Sequence, residues 1–505
     1  MANPLYDTLF GRHAGSDAPF LILPDGNALS YTGFLAMAAR IAGHLAASGL
    51  RPGDRLAAQI AKSPEALALY AACAQAGVVF LPLNTGYTPN EVTYFLENSG
   101  ASLALCEDAA RDTLAPIAAR LGAQIATLNA DGSGTLMEDA EAHPGTFDTA
   151  ERSEDDLAAL LYTSGTTGRS KGAMLSQRNL LSNADVLVRE WRFTAGDVLL
   201  HCLPIFHTHG LFVATNVTLA AGGAMIFLPR FDVDAVMHHL PDATTMMGVP
   251  TFYTRLLDDA RFDKAATRHM RLFTSGSAPL LAETHAQFRA RTGHAILERY
   301  GMTETNMNTS NPYDGERRAG TVGFALPGVE LKICDPATGQ GLPQGEVGQI
   351  EVRGDNVFQG YWQMPEKTAE ELREDGFFIT GDLGLIDERG YVQIVGRGKD
   401  LIISGGYNIY PKEVELVLDA QPGVLESAVI GVPHPDFGET VVGVLVPEPG
   451  ASPDEDAIMA AAAEALARFK HPRKLIVLDA LPRNTMGKVQ KNILRDRFGG
   501  LFASG

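Results

Sequence analysis

The sequence predicts an α/β protein in which a large N-terminal domain of helix-covered sheets and an antiparallel β subdomain precedes a small C-terminal α/β domain. The first observation is that helical and strand patterns alternate in the first half of the chain. Residues 31–48 and 64–77 carry apolar side chains at helical spacing, whereas 55–60 and 78–83 are short apolar runs typical of strands. This alternation favours a mostly parallel sheet covered by helices.

The second observation is a change of pattern after Gly328. Short strands with a turn at residues 387–390 indicate an antiparallel subdomain, and they are predicted over residues 329–333, 348–353, 377–380 and 391–395. The third observation is an α/β pattern beyond a glycine-rich connector, with elements predicted at residues 411–418, 428–432, 440–446 and 457–469. We therefore expect one domain at residues 1–398 and a second at residues 399–505.

Composition and charge exclude several classes of protein. Acidic residues outnumber basic ones by 60 to 41, so the formal charge is -19. We expect no nucleic-acid partner, because such a chain must meet any anionic ligand with local positive groups. The four cysteines are widely spaced, which suits a reducing cytosol better than a disulfide framework or a zinc site. Without a signal peptide or a long apolar stretch, the sequence predicts a soluble cytoplasmic protein with no membrane partner.

The stretch TSGTTGRSKG, residues 163–172, is the first candidate site. It is not a Walker A loop, because Gly168 is followed by Arg169 rather than by Lys and Ser or Thr. Its glycines nevertheless allow successive backbone N–H groups to face an anion, and its hydroxyls and Lys171 add donors and charge. Composition alone leaves two interpretations open, a phosphate-binding loop and a polar surface turn.

Four later segments point to one family. They follow the loop in the order YGMTET (300–305), TGD (380–382), GRGKDLIISGGYNIYP (396–411) and PRNTMGK (482–488). The five motifs together resemble those of the adenylate-forming superfamily, which includes acyl-CoA synthetases, peptide-synthetase adenylation domains and luciferases. The resemblance implies that the loop binds ATP, that Mg²⁺ and coenzyme A are also used, and that the C-terminal domain is mobile.

The resemblance also implies which residues surround the nucleotide. The triphosphate, adenine and ribose are expected to be bound by Thr163, Ser164, Gly165, Thr166, Thr167, Gly168, Lys171, Ser277, Ala278, Glu298, Tyr300, Gly301, Met302, Thr303, Asp382, Arg397 and Lys488. Glu304 is expected to hold Mg²⁺, since a hard cation prefers carboxylate oxygen. Outside the motif, Glu304 would be interpreted as a helix N-cap or a salt-bridge partner, and Asp382 as a turn residue.

The C-terminal motifs imply the catalytic cation and the thiol site. Lys488 would stabilise charge on the substrate carboxylate and the α-phosphate in the transition state, and Lys399 would be the hinge. Coenzyme A is expected at Gly405, Gly406, Tyr407, Arg468, Lys470 and Arg473. The glycines would equally suit a tight turn, and the basic residues a solvated helix end. A lysine acyltransferase or deacylase acting on Lys488 is a possible partner.

Arg299, directly before YGMTET, indicates the substrate. A guanidinium beside an apolar acyl pocket is costly unless an anion pairs with it, and its planar fork suits a carboxylate. We therefore expect a dicarboxylate, with malonate the best fit, and the chain resembles malonyl-CoA synthetases. The alternatives are an Arg299–Glu298 ion pair and a ligase for a monocarboxylate. Other residues expected at the acyl pocket are Arg255, the catalytic His207, Thr208 and Met307.

Overall fold

The computed structural model describes residues 2–163, 170–404, 407–435, 437–484 and 487–502. The chain divides into two compact units. The first unit consists of Met1–Glu330 and Arg353–Phe378, and the second of Leu331–Val352 and Ile379–Gly505. The antiparallel segment predicted after Gly328 therefore contributes most of its residues to the second unit.

Helices begin and end where the local sequence favours it. Helix Pro64–Ala76 begins with Pro at its first position behind the N-cap Ser63, and it ends at Gly77 with φ 71°. In chain order the α-helices are α1 (Pro4–Leu9), α2 (Tyr31–Ala47), α3 (Pro64–Ala76), α4 (Pro89–Ser99), α5 (Asp108–Leu121), α6 (Thr135–Ala140), α7 (Gln177–Glu190), α8 (Asn216–Ala221), α9 (Val233–His239), α10 (Pro250–Leu257), α11 (Ala282–Thr292), α12 (Pro365–Glu371), α13 (Pro411–Asp419), α14 (Glu455–Ala465) and α15 (Lys491–Phe498). A π-helix, His209–Thr215, leads into α8.

The strands are short and mostly apolar, as buried sheets require. In chain order they are β1 (Pro19–Ile22), β2 (Ala28–Ser30), β3 (Arg55–Gln59), β4 (Val79–Pro82), β5 (Leu103–Cys106), β6 (Gln124–Thr127), β7 (Leu157–Thr163), β8 (Lys171–Ser176), β9 (Val198–His201), β10 (Ala224–Phe227), β11 (Thr245–Gly248), β12 (Leu272–Ser275), β13 (Leu297–Met302), β14 (Asn306–Ser310), β15 (Phe324–Ala325), β16 (Glu330–Cys334), β17 (Gly348–Arg353), β18 (Phe378–Ile386), β19 (Val392–Arg397), β20 (Ile402–Ser404), β21 (Tyr407–Ile409), β22 (Val424–His434), β23 (Gly438–Pro447) and β24 (Lys474–Val477).

The first unit contains two large sheets. One has six strands in the order β6-β5-β3-β4-β7-β8, and the other has nine in the order β15-β14-β13-β12-β11-β9-β10-β1-β2. Pairing is parallel in the middle of both sheets and antiparallel at β7–β8, β1–β2, β13–β14 and β14–β15. The antiparallel hairpins matter for function, because both of the early sequence motifs lie on them.

The second unit contains two smaller sheets. One has the order β16-β17-β18-β19, and in the other β21, β20, β23 and β22 follow each other while β24 pairs in parallel with β23. The turn predicted at residues 387–390 is confirmed, since it joins the antiparallel strands β18 and β19. The α/β fold with a large N-terminal and a smaller C-terminal part is therefore confirmed, whereas the mobility of residues 399–505 stays a prediction.

Two further observations concern the whole described chain. All four cysteines are buried thiols. Within the described ranges, no helix is both long and apolar enough to cross a bilayer.

An aromatic cluster stabilises the nine-stranded sheet. Phe288 on α11 is fully buried and meets Phe273 edge-to-face at 5.0 Å and Tyr253 at 5.4 Å. We expect Phe288→Ala to lower the free energy of unfolding by about 3–5 kcal/mol, because it removes a large buried ring and leaves a cavity. Urea unfolding followed by tryptophan fluorescence measures this, since both tryptophans, Trp191 and Trp362, lie in the first unit. The control Phe324→Ala, at an exposed ring, should change little, and equal losses would contradict the prediction.

Candidate active site

The motif at residues 163–172 forms the β7–β8 hairpin. Thr163 and Lys171 face each other as the register pair next to the connecting loop. The predicted nucleotide ligands between them, Ser164, Gly165, Thr166, Thr167 and Gly168, lie outside the described residues. Both strands of the hairpin belong to the six-stranded sheet, which fixes the position of Lys171.

Lys171 belongs to a network of charged groups. Its Nζ lies 3.1 Å from both carboxylate oxygens of Glu371 and 4.1 Å from the centre of the Tyr361 ring. The Tyr361 hydroxyl lies 2.6 Å from Glu371 Oε2 and 3.0 Å from Glu304 Oε1. The predicted phosphate-binding cation and the predicted magnesium ligand are therefore linked through one tyrosine.

Glu304 lies in the tight turn between β13 and β14. Its interpretation as a helix N-cap is wrong, because both neighbouring elements are strands. The side chain is buried, with 5% exposure, and it provides the hard carboxylate oxygens that Mg²⁺ prefers. No group of three or more His, Cys, Asp or Glu residues that could hold a metal occurs in the described part of the chain. This arrangement fits an ion whose remaining ligands are phosphate oxygens and water.

The same hairpin places the predicted adenine-site residues. Tyr300, Gly301 and Met302 end β13, and Thr303 precedes Glu304 in the turn. A Cβ on Gly301 would lie 1.8 Å from the backbone oxygen of Asn306, so only glycine allows the two strands to approach. Just after the neighbouring strand β12, the chain turns at Ser277, whose φ of 69° is unusual for a residue with a side chain, and Ala278 follows it.

Arg299 is buried without a partner for most of its guanidinium. Its residue exposure is 3%, and neither Nε nor Nη2 has a hydrogen-bond partner in the described part of the structure. The group lies against the backbone of Gly276, where a Cβ would be 2.2 Å from Nη1. The absence of a side chain at position 276 therefore makes the space that the guanidinium occupies.

His209 is a further buried side chain that the charge of Arg299 affects, and it too has an unpartnered nitrogen in the described structure. His209 Nδ1 lies 3.3 Å from the Ser277 hydroxyl, while its Nε2 is buried without a partner in the described residues. Burial and the charge of Arg299 lower the pKa of His209 well below its usual value, so the ring is neutral. If Ser277 donates to Nδ1, the ring proton is on Nε2. Burial also lowers the pKa of Arg299 to about 9, which leaves it charged at neutral pH.

The alternative interpretation of Arg299, an ion pair with Glu298, is wrong. Neighbouring residues of a strand point to opposite faces, and Arg299 Nε and Nη2 have no partner. Glu298 is itself buried, with Oε1 unpartnered in the described structure and a hydrogen bond from the Gly320 backbone. Burial raises the pKa of Glu298 to about 8. Its predicted contact with ATP is not tested by these observations.

The other predicted acyl-site residues differ in their surroundings. Thr208 is buried and donates to Asn306 Oδ1 at 2.7 Å, and Met307 is buried on β14. His207 is partly exposed, and its Nδ1 accepts the backbone N–H of His209 at 3.3 Å. Arg255 is exposed on α10, so it lacks the desolvation on which the interpretation of Arg299 depends.

In the second unit, the predicted ribose ligands form an ion pair. Asp382 on β18 and Arg397 on β19 are register partners, with 2.8 Å between Oδ1 and Nε. Asp382 is therefore a strand residue rather than a turn residue. Lys399 follows in a short 3₁₀ turn, where burial and the charges of Arg397 and Arg495, partly offset by Asp400 and Asp382, lower its pKa to about 8.

The remaining predicted residues belong to the second unit. Lys488 is exposed, and its backbone exchanges hydrogen bonds with Asn484 across the loop. Gly405, Gly406 and the side chain of Tyr407 lie outside the described residues. Among the basic residues, Arg468 is exposed, Lys470 pairs with Glu413, and Arg473 lies 4.3 Å from the Phe437 ring centre. Lys470 therefore has a partner within its own unit.

Comparison with known proteins identifies the family. A family model described as AMP-binding enzyme matches residues 11–362, and one described as AMP-binding enzyme C-terminal domain matches residues 413–488. The chain belongs to the AMP-binding enzyme family.

Three members of the AMP-binding enzyme family illustrate its range. The ATP-bound crystal structure of MatB from Rhodopseudomonas palustris is 57% identical, with a TM-score of 0.98 over 99% of this chain and 100% of that one. A malonate–CoA ligase from Arabidopsis thaliana is 36% identical over 83% of this chain and 74% of its own length. A feruloyl-CoA synthase from an Amycolatopsis species is 37% identical over 94% and 95%. Overall identity to curated ligases therefore does not distinguish a diacid from an aromatic monoacid.

Membership in the AMP-binding enzyme family confirms the family that the five motifs predicted. Three residues that the structure adds to the site were not predicted: His209, Tyr361 and Glu371. His209 stands two positions after His207 in the same segment, so the site predicted at His207 could have been extended to His209 from the sequence. Tyr361 and Glu371 follow the loop lysine by about 190 and 200 residues, and no local pattern indicates the contact.

The buried carboxyl of Glu298 should make stability depend on pH. Its folded pKa of about 8 lies above the usual 4.5, so the folded state binds more protons than the unfolded state between these values. This contribution to stability is complete below pH 4.5 and is lost as the pH rises towards 8. We expect the free energy of unfolding of Glu298→Gln, whose side chain is always neutral, to match that of the wild type near pH 5. Near pH 9 it should exceed the wild-type value by roughly 2–5 kcal/mol.

Urea unfolding at several pH values measures the difference. Glu283→Gln, at an exposed position on the neighbouring helix α11, is the matched control and should run parallel to the wild type. A pH-independent difference between Glu298→Gln and the wild type would show that Glu298 does not titrate in this range.

Proposed function

We propose that this protein is an ATP-dependent malonyl-CoA synthetase. Malonate and ATP would give malonyl-AMP and pyrophosphate, and coenzyme A would then convert malonyl-AMP to malonyl-CoA and AMP. One observation carries the choice of substrate: the buried guanidinium of Arg299 has two nitrogens without an acceptor.

The physical argument is one of charge compensation. A buried cation without a counter-ion is unfavourable by several kcal/mol, and two guanidinium nitrogens of Arg299 have no hydrogen-bond partner among the residues that the structure describes. His209 Nε2 is likewise unpartnered among these residues, and the charge of Arg299 acts on its ring. A carboxylate would supply both the negative charge and the acceptors. Because the reacting carboxylate of the substrate is consumed by adenylation, the anion at Arg299 would be a second carboxylate.

The length of the diacid is proposed from family resemblance and from the surrounding side chains. Thr208 and Met307, both buried, would limit a substituent between the two carboxylates. The Arabidopsis relative acts on malonate. A monocarboxylate such as ferulate is the alternative, but it would leave the charge of Arg299 uncompensated.

The first step would form a mixed carboxylic–phosphoric anhydride, malonyl-AMP, and break the phosphoanhydride bond between the α- and β-phosphates. A substrate carboxylate oxygen attacks the α-phosphorus of ATP, and pyrophosphate leaves with the bonding electron pair. Lys171 would bind the departing phosphates, and Lys488 would stabilise charge between the carboxylate and the α-phosphate. Magnesium held at Glu304 would neutralise charge on the leaving group. No covalent enzyme intermediate is required.

The second step would be an acyl transfer. The sulfur of coenzyme A attacks the malonyl carbonyl carbon, AMP leaves, and the thiol proton passes to solvent. Asp382 and Arg397 would hold the ribose, while Gly405, Gly406, Tyr407, Arg468, Lys470 and Arg473 are proposed to contact coenzyme A, and His207 to separate the acyl site from the thiol. Lys399 is proposed as the hinge between the two steps.

Two points of regulation and location belong to the same proposal. Lys488 is exposed within its unit, so a lysine acyltransferase and deacylase could modify it, and acylation would remove the charge needed in the first step. The four buried thiols suit a reducing cytoplasm.

Arg299→Met should discriminate the diacid from its monoacid analogues. Methionine keeps the volume but removes the charge, so we expect kcat/KM for malonate to fall by the equivalent of about 2–5 kcal/mol. Acetate and propionate lack the second carboxylate and should be affected far less. Coenzyme-A-dependent AMP formation across these acids measures the effect.

Arg255→Met is the matched control for Arg299→Met, because it makes the same substitution at an exposed arginine of the same unit. It should leave the selectivity for malonate unchanged. Equal losses with malonate and acetate in Arg299→Met would exclude a carboxylate-binding role for Arg299.

Lys488→Ala should separate the two half-reactions. We expect malonate-dependent pyrophosphate exchange to fall by at least about 100-fold, because a preorganised charge at the developing transition state is lost. Thioester formation from supplied malonyl-AMP should largely persist. Lys474→Ala, which removes an exposed lysine of the same unit, should affect neither step. Loss of both steps in Lys488→Ala would contradict the assignment of Lys488 to adenylation alone.

A further inference from the structure

The contacts around Lys171 point to an internal competitor for ATP. We propose that Glu371 forms an ion pair with Lys171 when no nucleotide is bound, and that the β- and γ-phosphates of ATP displace Glu371 from Lys171. This inference rests on the proposed function of Lys171 as a phosphate ligand. It adds a residue outside all five motifs that would set the affinity for nucleotide and assist the release of pyrophosphate.

The first support is the geometry of the ion pair. Both carboxylate oxygens of Glu371 lie 3.1 Å from Lys171 Nζ, so the carboxylate faces the ammonium with both acceptors. The two side chains are only 19% and 23% exposed. A partly buried cation is costly to leave unpaired, and in this arrangement Glu371 supplies the negative charge that phosphate would otherwise provide.

The second support is the backbone that holds the pair together. Residues 359–362 run along β8 and form backbone hydrogen bonds with Met174 in both directions and from Trp362 to the oxygen of Gly172. This added strand places the Tyr361 ring 4.1 Å from Lys171 Nζ. Helix α12 follows directly and ends at Glu371. Lys171 and Glu371 are therefore brought together by main-chain pairing rather than by a chance meeting of two surface side chains.

The third support is that Glu371 has a second cation available. Lys367 Nζ lies 2.9 Å from Glu371 Oε1 and is 40% exposed. If phosphate takes Lys171, the carboxylate can remain paired with Lys367. Displacement from Lys171 would therefore leave the Glu371 carboxylate paired with Lys367 rather than without a counter-ion. Glu371 could then return to Lys171 when the phosphates leave. After adenylation, the return of Glu371 to Lys171 would oppose rebinding of pyrophosphate.

Tyr361 links this exchange to the magnesium ligand. Its hydroxyl has one proton, yet it lies 2.6 Å from Glu371 and 3.0 Å from Glu304. The hydroxyl can donate to only one carboxylate at a time, and the shorter distance favours Glu371 in this state. If Glu371 moved away, the Tyr361 hydroxyl would keep its proton and donate its hydrogen bond to Glu304 instead. Tyr361 is thus a positioning residue, not a catalytic one.

The test compares the binding of ATP, pyrophosphate and AMP to full-length protein by isothermal titration calorimetry in the presence of Mg²⁺. Glu371→Gln keeps the shape but removes the charge, so ATP and pyrophosphate should bind about threefold to tenfold more tightly. AMP lacks the β- and γ-phosphates and should bind as before. Glu371→Ala is a second variant with the same expected direction, in case the glutamine side chain perturbs the fold.

Two controls make the outcome specific. Glu370→Gln removes a neighbouring charge that pairs with Lys367 but not with Lys171 in the described contacts, and it should not change ATP affinity. In a Lys171→Met background, Glu371→Gln should no longer tighten ATP binding, because the two residues act through one contact.

The outcomes distinguish this inference from the proposed function. If the wild type binds ATP but Glu371→Gln and Glu371→Ala bind it no more tightly, Glu371 is not a competitor. Equal tightening in Glu370→Gln, or tightening of AMP as well, would assign the effect to general electrostatics and overturn the inference. Failure of the wild type to bind ATP at all would instead refute the proposed function.

Discussion

The site depends on a charge that the protein buries and does not neutralise. Arg299 is inside the first unit, its pKa is lowered by desolvation but not enough to lose the proton, and two of its nitrogens have no acceptor. A fold tolerates such a group only when other interactions compensate for it, which is why strain and unpaired polar groups concentrate at functional sites. The surrounding β-strands and the buried aromatic cluster of Tyr253, Phe273 and Phe288 supply these compensating interactions. In the proposed function, selectivity for an anion would follow from desolvation rather than from the number of contacts.

Lys171, the cation proposed to bind ATP, is in the opposite situation. It is paired with Glu371 and covered by the Tyr361 ring, so the protein itself supplies an anion for this cation. The difference follows from the ligands. A small diacid has little binding energy with which to displace an internal partner, whereas a triphosphate carries several charges and can compete for one. Arg299, proposed to bind the diacid, has two nitrogens without a partner among the described residues, whereas Lys171, proposed to bind the triphosphate, has an ion pair. Under this proposal both ligands can bind and dissociate.

Much of this could be predicted from the sequence, because the informative patterns are local. Apolar periodicity located α2, α3, β3 and β4 to within a residue or two, and the motif order gave the family. The position of Arg299 beside Tyr300 also followed from the motif. The alternative of an ion pair with Glu298 could also be set aside from the sequence, since alternation along a strand places Glu298 on the other face. By contrast, the contact of Tyr361 and Glu371 with Lys171 joins distant parts of the chain through backbone pairing, and the missing side chain at Gly276 has meaning only once the guanidinium above it is seen.

Gly276 has an evolutionary consequence. Any side chain at this position would collide with the guanidinium of Arg299, so the two positions cannot drift independently: losing the arginine must precede or accompany any larger residue at 276. Within the proposed function, relatives with a larger residue at position 276 should therefore lack the arginine at 299 and use acids without a second carboxylate. Relatives that merely enlarge the tolerated diacid should keep this pair and vary instead at buried positions such as Thr208 and Met307.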